Sequence, residues 1–298
     1  MVRMAQGGQL HAWGYGRVSS SHVDPIEKKP LYHFRPGSLV YSIGGWGCNF
    51  RCRFCQNWSI SQQAIESGSP VSPEDVVGAA SSEGAGAIAY TYNEPLIGYE
   101  FVLDCARMAR EAGLVNVLVT NGFINAKPAA DILPLVDAMN VDVKSMSDSF
   151  YRDLCGARLQ PVLDFCRQAV ESRCHVEITN LVIPGRNDDD DDFERLSQWI
   201  LSELGASTPL HLSAYFPQYK MDAPPTSEET LERAYAICSH HLPRVYVGNA
   251  RTDFGRDTAC LSCGSVLVTR MGYSTRVPGI EKGRCRACGA VADFVTVA

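Results

Sequence analysis

Three cysteines, Cys48, Cys52 and Cys55, stand in "GCNFRCRFC" with the spacing Cys-x3-Cys-x2-Cys and no fourth partner close by. Four thiolates close a structural zinc site or a fully ligated iron–sulfur cube, whereas three leave one metal corner free for an outside ligand. Two arrangements suit the loop: a cubane with one open iron, or a zinc ion that borrows a distant histidine. The first is preferred, since zinc sites draw their ligands from paired Cys-x2-Cys or His-x3-His knuckles. A second set, Cys260, Cys263, Cys285 and Cys288, is of that paired kind, and a glycine follows each pair. It predicts a closed tetrahedral sulfur site in a zinc-ribbon-like module, with Zn2+ preferred to an auxiliary iron–sulfur cluster.

The remaining five cysteines are scattered. Cys105, Cys166 and Cys238 fall on the apolar stripes of helical patterns and read as small buried hydrophobes. Cys155, in the turn "LCGAR", reads as either a buried side chain or a working thiol. Twelve cysteines without an export signal fit a reducing compartment in which thiols serve metals or catalysis, so a cytoplasmic location is expected. No apolar run approaches the ~18 residues of a membrane span. A formal charge of -6 argues against a nucleic-acid-binding protein.

These residues need a scaffold, and the chain supplies one. Runs at 39–43, 86–91, 115–120, 139–143, 175–183, 210–215 and 244–248 read as strands, each separated from the next by a helix-length segment. Ser72-Pro73-Glu74-Asp75 reads as a helix start, and Asp188 to Asp192 as an acidic helix entrance. Strands alternating with helices predict an α/β fold: a partial (β/α)6 TIM-type barrel of parallel strands with a small C-terminal appendage. The expected divisions are an N-terminal extension (1–37), the barrel (38–255) and the four-cysteine module (256–298). Chemistry collects at the C-terminal ends of such strands, and those ends are polar here: "YTYNEP", "TNGF", "DVKS" and "FPQYK".

The motif "CNFRCRFC", with Phe54 before the third cysteine, resembles the signature of the radical S-adenosylmethionine (SAM) superfamily. With "VDPIEKKPLYHFRPGS", "GCNFRCRFCQNW", "YTYNEP", "VTNGF", "VIPGRNDDDDDFERL" and "FPQYKM", the chain resembles the pyruvate formate-lyase activating enzyme branch, and within it the AmmeMemoRadiSam-system enzymes. The resemblance implies a [4Fe-4S] cluster on Cys48, Cys52 and Cys55, with SAM on the open iron. It implies that Glu94, Thr91 and Asn93 lie at the SAM amino group, Asp142 and Lys144 near its carboxylate, and Ile183 in the strand beside the adenine. Asn93-Glu94-Pro95 departs from the family's Gly-Gly-Glu-Pro, and Val119 stands where activating enzymes place an acid. His211 and Tyr219 are substrate-side candidates, His211 reading equally as a core histidine.

The expected function is reductive cleavage of SAM to methionine and a 5′-deoxyadenosyl radical that abstracts hydrogen from a protein, in the manner of activating enzymes. The alternatives are abstraction from a small molecule or a non-glycyl side chain, and a non-catalytic zinc-ribbon binding module. An electron donor such as flavodoxin or ferredoxin is an expected partner. Members of this subfamily tend to carry a cysteine-containing segment ahead of the point where this chain begins, so a late start is one expectation.

Overall fold

In the computed structural model, which describes residues 3–63 and 70–296, eight strands pair in the order in which the chain makes them. They are β1 (Ser20–Pro25), β2 (Leu39–Gly44), β3 (Ala87–Tyr90), β4 (Val115–Thr120), β5 (Ala138–Asp142), β6 (His175–Val182), β7 (Leu210–Ala214) and β8 (Val245–Gly248). From β2 to β8 every pairing is parallel. The crossovers carry α1 (Pro73–Ser82), α2 (Tyr99–Glu111), α3 (Ala126–Ile132), α4 (Gln160–Glu171), α5 (Asp190–Trp199) and α6 (Glu228–His241). The sheet stays open, so the architecture is the expected partial barrel with the four-cysteine tail appended.

Local chemistry accounts for the helix starts. Ser72 and Asp75 form a reciprocal capping box ahead of α1, and Asp189 caps α5 by accepting the Asp192 N–H. Cys105, Cys166 and Cys238 are fully buried on α2, α4 and α6, as small core residues.

The two sheet faces differ in kind because side chains alternate along a strand. Ile43, Ile88, Tyr90, Leu118, Met139, Val141, Ile178 and Leu210 pack outward under the helices. The inner face is small: Val40, Ala87, Ala89, Val117 and Ala138, filled at the strands' N-terminal end by Ile26, Leu31 and Phe34. Segment 26–37 is therefore a floor across the base of the barrel.

The sequence did not disclose β1. It pairs antiparallel with β2, from Ser20 opposite Gly44 to Pro25 opposite Leu39. "SSHVDP" lacks the alternation of a half-buried strand, and its proline is tolerated because β1 lies at a sheet edge. A hairpin of Arg3–Gln6 and Gln9–Ala12 precedes it, turning at Gly7 and Gly8 with φ of 58° and 76°. Two Arg3 hydrogen bonds to Glu100, at 2.7 and 2.8 Å, strap the hairpin to α2.

Beyond β8, Thr258–Ala259, Val266–Met271 and Ser274–Arg276 form a small antiparallel sheet around Cys260, Leu267, Val268, Cys285 and Ala292. This tail packs beneath the floor. The Val295 N–H donates to the His33 carbonyl (2.8 Å), the Arg35 N–H donates to the Val295 carbonyl (2.7 Å), and Arg270 lies 4.0 Å over the Tyr32 ring. Arg244, leading into β8, grips the Asp293 carboxylate with two bonds. Above them the buried Glu177 accepts from His175, His211 and the N–H groups of Tyr32 and His33.

Candidate functional site

The loop leaving β2 carries the three cysteines at the opposite, C-terminal end of the strands, and three sets of contacts fix its path. Asn93 accepts the Gly45 N–H (2.8 Å) and donates to the Gly47 carbonyl (2.9 Å). The Cys155 and Leu154 carbonyls accept the N–H groups of Arg51 (2.7 Å) and Arg53 (2.9 Å). Asn49 donates to the Phe123 carbonyl (2.7 Å) and accepts from Asn121 (2.8 Å). Phe50 and Phe54 anchor the loop from below: Phe50 meets Phe123 and Tyr151 edge-on, and Phe54 packs against Phe150. At Gly44 a side chain would collide with the Tyr92 ring at 2.9 Å, so only glycine lets the loop leave the strand there.

Cys52 is nearly covered, and Cys48 and Cys55 are half-buried. The Cys48 sulfur accepts from the Phe50 N–H (3.3 Å) and approaches Asn121 Nδ2 (3.6 Å), donors that favour a thiolate. Burial, and then the Glu94 charge, push the Cys48 thiol up; burial does the same to Cys55. At Cys52 the hydrogen bond with the Cys155 side chain comes first, ahead of burial. Ionised sulfurs here thus call for a metal cation.

Glu94 is 3 % exposed and accepts three hydrogen bonds. Its Oε1 accepts from the Leu96 N–H (2.9 Å) and the Thr120 hydroxyl (2.8 Å), and Oε2 accepts the Asn121 N–H (2.8 Å). Burial outweighs those bonds and raises its carboxyl to about 7. The carboxylate therefore ties the β3 and β4 ends together, and one lone pair of Oε2 remains for a cation. Thr91, 5 % exposed, lies in the same turn, its N–H on the Ile43 carbonyl.

Across the rim, Lys144 Nζ reaches Asp142 at 2.7 Å. Burial opposes the ammonium charge, but Asp142 and then Cys52 outweigh it and hold Lys144 protonated. Its backbone is held by the Tyr151 hydroxyl, which accepts the Lys144 N–H, and by Asn187, which donates to the Lys144 carbonyl. The fully buried Ile183 donates its N–H to the same Asn187 (2.7 Å), joining the ends of β5 and β6. Asn49, Asn121, Tyr151 and Asn187 were not singled out from sequence. "TNGF" pointed to Asn121 only as a turn former.

The two substrate-side candidates stand apart from one another. His211 belongs to the floor, bonded to Glu177 at 2.6 Å, the core histidine that its strand position allowed. Tyr219 stacks on Trp58, with ring centroids 5.4 Å apart, beside the cysteine loop.

In the tail, Cys260 and Cys288 lie 3.7 Å apart and Cys263 and Cys285 3.8 Å apart. A tetrahedral ion with bonds of ~2.3 Å to sulfur sets its ligands about 3.8 Å from one another, so one ion fits this set. Gly264 and Gly289, at φ of 74° and 75°, donate their N–H groups to the Cys260 and Cys285 carbonyls and shape the two knuckles. Bonds with the Ser265 hydroxyl and N–H lower Cys263 to about 6. Among the described residues only these four cysteines draw their ligand atoms within 4.8 Å of one another.

Comparison with known proteins bears on the family and the fold. The profile of the Radical SAM superfamily matches residues 43–200, just over half of the chain. An uncharacterized protein of Methanocaldococcus jannaschii is 44% identical over 97% of this chain and 87% of its own length. Pyruvate formate-lyase 1-activating enzyme of Escherichia coli is 27% identical over 67% of this chain and 88% of its own. Among solved structures, a radical SAM methyltransferase from Sphaerobacter thermophilus shares the fold at TM-score 0.56 and 18% identity, over 78% of this chain and 71% of that one. SuiB of Streptococcus suis, bound to S-adenosylmethionine, does so at TM-score 0.55 and 10% identity, over 74% of this chain and 52% of that one.

Proposed function

Because the chain belongs to the radical SAM superfamily, we propose that it cleaves SAM reductively and uses the resulting radical to take a hydrogen atom from a protein substrate, as an activating enzyme does. The observation that carries this reading is the position of Cys48, Cys52 and Cys55 on a braced loop facing Glu94 and the Asp142–Lys144 pair across the barrel mouth. A [4Fe-4S] cluster on those cysteines supplies the single electron that splits the S–C5′ bond. Lys144 neutralises the SAM carboxylate, with Asp142 orienting its ammonium group. Glu94 offers its remaining lone pair to the SAM amino group and, through Asn121, fixes the loop. Phe54, Thr91, Asn93 and Ile183 hold the walls. The tail binds one Zn2+ that closes its fold and does no redox chemistry.

A second reading, hydrogen abstraction from a small polar molecule, is supported by Asn140 Oδ1 and Thr179 Oγ1. Both are buried on the inner face and lack a partner among the described residues. The decisive assay is anaerobic incubation of dithionite-reduced protein with SAM, followed by product chromatography. Methionine and 5′-deoxyadenosine are expected; S-adenosylhomocysteine in their place would mean methyl transfer and end this proposal.

A further inference from the structure

The cysteine loop shows two chemically different sides. From Phe50 to Phe54 the side chains alternate: Phe50, Cys52 and Phe54 turn inward, and Arg51 and Arg53 stand exposed. The backbone bonds to Cys155 and Leu154 impose that alternation, as a strand partner would. The Arg53 carbonyl accepts the Lys220 N–H at 2.9 Å, which brings a third exposed cation alongside. Arg158 follows closely after Gly156, where a side chain would meet Arg51 Cβ at 3.6 Å.

None of these four cations makes a side-chain hydrogen bond or ion pair to a described residue, although Lys220 Nζ rests 4.9 Å over the Tyr219 ring. Among the described residues, the carboxylates on the same loops are Asp148, Asp153 and Asp222, and Arg158 also acts on Asp148 through its charge. Arg152 engages Asp148, so the described residues of the patch carry an excess of two positive charges in a chain whose formal charge is -6. Arg51 and Arg53 stand exposed on the side of the loop away from the buried Cys52, so they do not serve the SAM site proposed there. They also cost the fold repulsion that a passive surface would avoid.

We infer that Arg51, Arg53, Arg158 and Lys220 form the docking face for an acidic one-electron carrier protein, which delivers its electron beside Cys52. This inference rests on the proposed SAM chemistry. Cys52 is the residue between the two arginines, so a carrier seated on them is one residue from a cluster ligand. With a flavodoxin as carrier, its anionic flavin hydroquinone gives up one electron and becomes the neutral semiquinone, no proton moving, and the oxidised 2+ cluster passes to 1+. Complementary charge steers such encounters and speeds them steeply at low salt. A polyanion such as RNA would need a broader basic surface than four cations beside three carboxylates.

The test uses the holoprotein and a purified acidic flavodoxin under anaerobic conditions. Binding of the oxidised flavodoxin is followed by its flavin fluorescence, and cluster reduction by the hydroquinone in stopped flow. For the wild type, both the affinity and the second-order rate should fall about 10-fold or more between about 50 and about 300 mM salt. Arg51→Glu/Arg53→Glu should lower both by at least about 10-fold at low salt. Arg276→Glu, on the tail at the far end of the barrel, should change neither.

Dithionite-driven SAM cleavage should be the same in all three proteins. Its absence from the wild type would count against the proposed function, whereas flavodoxin binding would still decide the docking face. Wild-type affinity and rate in the double variant would overturn the inference. So would tighter, Arg51-dependent binding of a single-stranded RNA.

Discussion

Glu94 and Asn121, 27 positions apart, are joined at 2.8 Å by a buried bond from the Asn121 N–H to Oε2. The Asn121 side chain then reaches Asn49 and the Cys48 sulfur. An acid at the end of β3 thereby sets the position of Cys48 after β2, through the end of β4.

Glu94→Gln tests that linkage. Glutamine offers one acceptor oxygen and turns an NH2 toward either Asn121 or the Thr120 and Leu96 donors. A loss on the order of 1–3 kcal/mol in unfolding free energy is expected, with less iron retained after reconstitution. Denaturant titration and iron assay check it; unchanged values would remove Glu94 from the role.

Replacing Cys48, Cys52 and Cys55 together by alanine should abolish the EPR signal of the reduced cluster and leave zinc bound to the tail. A variant that kept the cubane signal would show the cluster to be held elsewhere.

Lys144→Met should weaken SAM binding about 10- to 100-fold, because it removes the cation proposed to meet the SAM carboxylate and leaves the half-buried Asp142 uncompensated. Equilibrium dialysis of the oxidised holoprotein measures this without turnover. Wild-type affinity would exclude Lys144 from the carboxylate site.

Cys285→Ser/Cys288→Ser should release the tail's metal and lower the melting temperature of the whole protein, since the tail buttresses the barrel floor through Arg270, Asp293 and Val295. Metal analysis with calorimetry decides. An unchanged main transition would make the tail an independent unit.

His33 makes stability depend on pH. Burial lowers the folded-state imidazole to about 4 from an ordinary 6.5. Its contribution is complete above about 6.5 and is lost as pH falls toward 4, on the order of 3 kcal/mol in all. Glu177, held low by His175 and His211 against the cost of burial, adds loss at still lower pH. Glu94, raised, acts in the opposite sense between 4.5 and about 7. Denaturation midpoints of the wild type and His33→Gln across this range isolate the histidine. Parallel profiles would refute its role.

The strands β2 to β8 were legible because each is a short, mostly apolar run between helix signals, and both cysteine sets were legible because the spacing within each is local. What stayed hidden arises only when distant segments meet. Glu94 read as a carboxylate awaiting a cation, but three donors from β4 and its own turn occupy most of it. Lys144 read, through the resemblance, as a partner for the SAM carboxylate, and nothing in "DVKS" indicates that Tyr151 and Asn187 hold its backbone. β1 escaped notice because an edge strand paired on one side needs no alternating pattern.

The floor of the barrel joins segments far apart in sequence: the His33 ring lies flat on Phe294 and bonds the Asp293 carbonyl across 260 positions. During translation at roughly 5–20 residues per second, these partners appear some tens of seconds apart. Ile26, Leu31 and Phe34 emerge before Glu177, and the peptide that locks them emerges after it. The nascent chain therefore carries an unfinished base until residues 293–295 appear, when a chaperone has most to cover. Truncations that remove residues 293–295 should be felt inside the barrel rather than only at its surface.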